Sequence, residues 1–169
     1  MNKVYCLFLL ALFSILVVGI PSCLADNAWN WYAKGMDLAS QGRHEEAIQA
    51  YQEALKIDPT YTWVWVYMGM SYSQLGRHEE ELYAYDKALE IDPDFIFAWV
   101  YKAYGLDDIG RNEEAIEAYK KAIELLEHTE EPAYKRYKTE MPISLGYLYF
   151  KLGKYEEAIE YFEMAINAA

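Results

Sequence analysis

Cysteine is almost missing from this 169-residue chain: only Cys6 and Cys23 occur, both within the first 25 residues. The remainder has no disulfide to staple it and no thiol nucleophile, so its stability must come from packing. Basic side chains are scarce too. Lys and Arg number 15 against 27 Asp and Glu, a net charge of −12, and Lys3 is the sole charged residue of the first 25. Such acidity argues against a nucleic-acid partner, which wants a basic face, and against docking of the folded part on anionic lipid. Membrane contact is left to the N-terminal segment alone. A glycine-rich phosphate loop and an HExxH pair are both absent. His44 and His78 stand at equivalent places near a turn but have no third ligand at workable spacing. Asp107-Asp108 reads as a solvated turn before Gly110. Glutamate pairs at 45–46, 79–80, 113–114 and 156–157 recur, whereas catalytic carboxylates are expected once. The expectation is no enzyme, no catalytic residue, no cofactor and no metal.

The N-terminal segment is built differently from the rest. Met1 to Lys3 is a weakly basic start, Val4 to Ile20 is apolar except for Ser14 and Gly19, and Pro21 breaks the run. Cys23-Leu24-Ala25 ends in a small residue before Asp26. This three-part layout predicts a secretory signal cut after Ala25, hence an exported protein, extracellular or associated with the cell envelope. Two alternatives stay open. Ile20-Pro21-Ser22-Cys23 resembles a lipobox, though Pro21 sits badly in it, and an uncleaved anchor is the third reading. Residues 1–25 are thus a signal peptide or membrane anchor, and 26–169 the folded domain.

Aromatics and repetition are what the chain has in plenty. Tyrosine occurs 17 times and tryptophan five times. The stretch Gly42–Pro59, GRHEEAIQAYQEALKIDP, returns at Gly76–Pro93, more loosely at Gly110–Glu127, and again from Gly153. The first three copies are evenly spaced and the fourth arrives late; an even period of about 34 residues marks a repeat array. In the first copy, Trp29 to Gln41 is free of proline and carries apolar residues at helical spacing, and Gly42 ends it. A second helix starts at His44 with Glu45 and Glu46 in its first turn, where the helix dipole favours negative charge. Ala47, Ile48, Tyr51, Ala54 and Leu55 form one apolar stripe. Asp58-Pro59 stops it, since the residue before proline is pushed out of the α region. Each unit is a helical hairpin whose stripe needs stacked neighbours to bury it.

The units resemble tetratricopeptide repeats. The family's early tryptophan is matched by Trp31, Trp65 and Trp99, and the small residue four later by Gly35, Gly69 and Ala103. The second helix supplies Ala47, Ala115 and Ala158, then Tyr51, Tyr85, Tyr119 and Phe162, then Ala54, Ala88, Ala122 and Ala165, with Pro59 and Pro93 closing. The resemblance implies an all-α fold of about eight helices in a right-handed superhelical stack. Units fall at 28–61, 62–95, 96–129 and 139–169, the last preceded by an insertion, 130–138. A helix is predicted from near Pro132 to about Leu152, with Pro142 either kinking it or restarting it at a Thr139 cap. Lys135, Arg136 and Lys138 read as a solvated basic face. Glu81 stands in an alanine slot, and the expectation is that it swings to solvent, the alternative being a pairing role.

The resemblance also implies a binding surface on the first helices. Carried onto this chain, it is Trp29, Tyr32, Met36 and Ala39; Trp63, Val66, Met70 and Ser73; Phe97, Val100, Tyr104 and Asp107; and Ile143, Tyr147 and Phe150 with Glu140 at the rim. Places where chaperone-binding members clamp a carboxylate hold Tyr32, Met36, Tyr67, Phe97 and Tyr101, so that clamp is not expected. The reading is a non-catalytic scaffold that takes a partner's peptide or helix in an aromatic groove. Carbohydrate binding with Asp107 and Glu140 as acceptors is one alternative. Self-association into a homo-oligomer through an uncapped last helix, at Ile159, Phe162 and Ile166, is the other.

Overall fold

The computed structural model describes residues 27–168; the predicted signal or anchor lies outside them. The chain divides into two compact units at Pro59/Thr60.

The first unit is a hairpin of α1 (Ala28–Ser40) and α2 (His44–Ile57). Asn27 caps α1, its side-chain oxygen accepting from the Asn30 N–H at 2.8 Å, which satisfies one of the helix's orphan donors. The turn depends on Gly42, whose φ is +76°. There the Gly42 N–H donates to Ala39 O and the Arg43 N–H to Leu38 O, the paired bonds that terminate a helix on a left-handed glycine. The helices close because Gly35 has no side chain. A Cβ there would lie 2.3 Å from the Tyr51 ring. Ala47, Tyr51 and Ala54 are fully buried. α2 ends at Asp58, extended ahead of Pro59.

The second unit holds three more hairpins: α3 (Thr62–Gln74) with α4 (His78–Ile91), α5 (Ile96–Asp108) with α6 (Asn112–Glu127), and α7 (Lys135–Lys151) with α8 (Tyr155–Asn167). Gly76, Gly110 and Gly153 repeat the left-handed turn. Tyr85 packs on Gly69 and Phe162 on Gly146, as Tyr51 does on Gly35. Ala115, Tyr119 and Ala122 of α6 share one core with Met141, Leu145 and Leu148 of α7. The recurring glutamates belong to helix starts: Arg77 pairs with Glu80 and Arg111 with Glu114, each at 2.6 Å. The Arg77 guanidinium, hydrogen-bonded to Glu80, holds that carboxyl below its usual range.

The insertion begins as Pro132–Tyr134, a single tight 3₁₀ turn with proline in its first turn, and leads directly into α7. α7 runs unbroken through Pro142, so the restart at Thr139 does not occur. Lys138 O cannot receive the usual fourth-residue N–H, because proline has none.

Glu81 departs from the expectation. Its side chain does not reach solvent: it is 2% exposed. Its Oε2 lies 3.0 Å from His78 Nδ1, and its Oε1 would be 2.7 Å from a Cβ placed on Gly105. The missing side chain on α5 makes room for the acid. The equivalent positions one repeat on hold the opposite combination, Ala115 and Leu148, both in the same core.

Candidate functional site

Aromatic side chains from the first helices of the second unit gather in rows. At the N-terminal end, Trp63 of α3 lies 4.8 Å from Phe97 of α5, and Phe97 lies 5.0 Å from Tyr134, measured between ring centroids. Phe95 joins Trp63 edge-on at 4.9 Å, and Tyr137 meets Phe97 edge-on at 5.8 Å. One turn further on, Tyr67 stands 6.0 Å from Trp63, and Tyr101 stacks on Tyr85. Near the C-terminal end of α7, Tyr147 is 60% exposed with its ring edge-on to Phe162. Trp63, Tyr67, Met70, Phe97, Tyr101 and Tyr104 are half-buried, each helix giving part of the ring to the core and part to the surface.

The structure corrects three of the groove residues inferred from the sequence. Val66 and Val100 are 0% exposed, and Tyr32 is buried. These side chains fall inward of the surface row and pack the hairpins, so no ligand reaches them. In the first unit, Trp29 (57% exposed) lies over Tyr32 with Met36 half-buried beside it. Tyr134, Arg136 and Tyr137 escaped the sequence reading as site residues, because the insertion has no counterpart in the repeat. The signal was there in two tyrosines, Tyr134 and Tyr137, at the start of a helix with the spacing that places them on one face.

Several charged side chains at the edge of the rows pair with one another. Arg136 donates to Glu140 at 2.8 Å and lies over the Tyr137 ring at 4.8 Å. Lys138 pairs with Glu130. Lys151 donates to Asp107 at 3.0 Å, and Asp107 accepts from the Tyr119 hydroxyl. Tyr101 and Tyr137 bring their hydroxyls within 3.5 Å of each other. Burial pushes the Tyr101 phenol well above its ordinary value, with the Tyr137 hydrogen bond adding to the effect. The Tyr104 phenol is pushed up to about 12, by burial first and then by the Glu140 carboxylate. Both remain neutral donors at any physiological pH.

Of the residues named for self-association, Ile159 and Ile166 are exposed, whereas Phe162 is half-buried against Gly146 and Tyr147. No group of three or more metal-ligating side chains exists among the described residues. No helix among them is long and apolar enough to cross a membrane.

Family models match along most of the chain. A TPR repeat model covers residues 35–76, and tetratricopeptide repeat models cover 64–95, 98–125 and 143–167. No curated protein matches. Among solved structures, a crystal structure of MamA is similar at 20% identity, covering 92% of this chain and 84% of that one with a TM-score of 0.74. The Sgt2 TPR domain from Aspergillus fumigatus is similar at 24% identity, with 75% and 80% covered and a TM-score of 0.63. The Yersinia enterocolitica type III secretion chaperone SycD, solved with a peptide of the translocator YopD, is similar at 19% identity, with 72% and 91% covered and a TM-score of 0.67. At these identities the likeness is one of fold.

Proposed function

Because this chain belongs to the tetratricopeptide repeat family, we propose that it is a non-catalytic scaffold whose first-helix aromatic face binds a peptide or helix of a partner protein. The observation that carries this reading is the row Trp63–Phe97–Tyr134. Two successive hairpins and the insertion that follows them each contribute a half-buried ring to it. Contiguous apolar area of this kind is a mark of contact sites, and aromatic anchors carry much of the energy in them. SycD, of similar fold, was solved with a peptide. The expected place of action is outside the cytoplasmic membrane, from the layout of residues 1–25.

The test is selection of binding peptides from a random display library on the full chain, followed by titration against Phe97→Ala and Tyr147→Ala. The expected result is enriched peptides whose affinity falls about 10-fold or more with at least one variant, as for an interface anchor. Failure to enrich any peptide, or binding indifferent to both substitutions, overturns the reading. Self-association keeps one supporting observation, the exposure of Ile159 and Ile166 on α8. Its test is the sedimentation mass of an Ile159→Glu/Ile166→Glu variant, which leaves the Phe162 packing intact. A mass independent of concentration in the unmodified chain removes that reading.

A further inference from the structure

The outer side of α8 repeats a surface that the second unit elsewhere keeps covered. Tyr155, Ile159, Phe162 and Ile166 recur at three- and four-residue steps and form one stripe. Ile159 and Ile166 are 57% and 75% exposed. Ile159 corresponds to Leu82 of α4 and Ile116 of α6, and Ile166 to Ile123 of α6; all three of these are at most 7% exposed. Their cover comes from the hairpin that follows. Ile116 and Ile123 share one core with Met141 and Leu145 of α7. A polar contact beside the stripe accompanies each junction. Tyr101 of α5 stacks on Tyr85 of α4, and the neighbouring Lys102 donates to Asp86 at 2.6 Å. One junction on, Lys120 of α6 donates to the Tyr149 hydroxyl of α7. On α8 the places of Tyr85 and Asp86 hold Phe162, half-buried, and Glu163, exposed.

Charge says what kind of cover fits. α8 contains Glu156, Glu157, Glu160 and Glu163 and no basic residue. Glu80 and Glu114, near the starts of α4 and α6, are held by arginines, whereas none of the four on α8 is in an ion pair among the described residues. Glu156 and Glu163 border the stripe on its solvent side. A second copy suits this face poorly. Two α8 helices related by a two-fold axis would set acidic flank against acidic flank. The α1 helix of a copy would bring Asn30 and Asp37 to the places that Ala98 and Gly105 hold on α5, burying an amide and a further carboxylate. A basic amphipathic helix meets both demands, burying the stripe and neutralising its border.

We propose that the outer face of α8 docks an amphipathic helix of a partner protein, apolar where it meets Ile159, Phe162 and Ile166 and carrying Lys or Arg opposite Glu163, as α5 covers α4. This surface shares no residue with the row Trp63–Phe97–Tyr134, so it is a second docking site beside the one proposed above.

The experiment titrates the full chain into a fluorescently labelled 18-residue helical peptide with a leucine stripe flanked by lysines. A peptide of the same composition in scrambled order, and a leucine/glutamate counterpart, are run beside it. The protein variants are Ile159→Ser/Ile166→Ser, Glu163→Lys and Phe97→Ala, and melting curves establish that each folds. The expected result is that the leucine/lysine helix binds about 10-fold or more tighter than the scrambled peptide and loses about 10-fold or more with the double serine variant. Glu163→Lys should weaken it by about 2- to 5-fold, the scale of one exposed ion pair, and favour the leucine/glutamate helix instead. Phe97→Ala should change nothing. Equal binding of the ordered and scrambled peptides, indifference to the double serine variant, or an unchanged charge preference in Glu163→Lys overturns the proposal. Loss of binding in Phe97→Ala alone also overturns it, assigns the helix to the aromatic row and leaves the scaffold reading standing. Sedimentation that shows the unmodified chain associating, and the double serine variant monomeric, gives the face to a second copy and overturns the proposal as well.

Discussion

At Gly69 a single methyl group tests how the hairpins close. A Cβ there would sit 2.5 Å from the Tyr85 ring, which is buried and has nowhere to move. Gly69→Ala gains helix propensity, yet overpacking outweighs it, and the expected net destabilisation is about 1–3 kcal/mol in urea unfolding. Gly105→Ala meets only the end of the Glu81 side chain, so it should cost clearly less; equal losses would contradict this account of the packing. Glu81 allows a sharper test. Glu81→Ala alone leaves a void beside Gly105 and should destabilise by about 1–2 kcal/mol. Adding Gly105→Leu recreates the Ala115/Leu148 combination already present one repeat on. The double variant should recover much of that loss, since the leucine side chain refills the void, although His78 and the Tyr85 hydroxyl lose the carboxylate. A double variant weaker than the single one would show that the two junctions are not interchangeable.

At the scale of the helix, α7 is the irregular element. Pro142 lies inside it and is buried. Proline in a helix interior costs about 3 kcal/mol relative to alanine, part of which Pro142 recovers through ring packing. Pro142→Ala should therefore raise stability by about 1–2 kcal/mol, read as a higher urea midpoint; a lower midpoint means that the ring's packing dominates. The same element shows how much of the site the repeat pattern could reveal. Trp63 and Phe97 were legible because they sit at equivalent positions of successive units. Val66 and Val100 were misassigned because spacing along one helix does not say how deeply the next helix covers that side chain. Tyr134 and Tyr137 were invisible because no other unit contains the segment that carries them.

For the molecule as a whole, titration is the integrated readout. Burial raises the phenols of Tyr85, Tyr101, Tyr104 and Tyr119 above their ordinary value, and nearby Glu81 and Asp107 carboxylates push Tyr85 and Tyr119 further. A group whose folded pKa is raised contributes stability that is whole below its unfolded pKa and is lost as pH climbs through the folded one. The stability of the second unit should be unaffected by these groups below about pH 10 and fall steeply above it. Urea midpoints between about pH 8 and 12 check this, with phenolate absorbance expected to appear partly in step with unfolding. Ionisation of all tyrosines near about pH 10 in the folded protein would contradict it.

The sequence by itself determined the helices, their turns and their family. These rest on local rules that recur from one unit to the next: glycine at a left-handed turn, acid at a helix start, proline at a stop, and small residues beneath an aromatic ring. The tertiary structure decided what depends on neighbours distant in the chain. Glu81 is buried because Gly105, on the following hairpin, leaves space for its carboxylate. The aromatic face is continuous because Tyr134 of the insertion folds back onto Phe97. Periodicity reports which residues share a face of one helix, whereas burial and pairing are set by the residue that meets them from another.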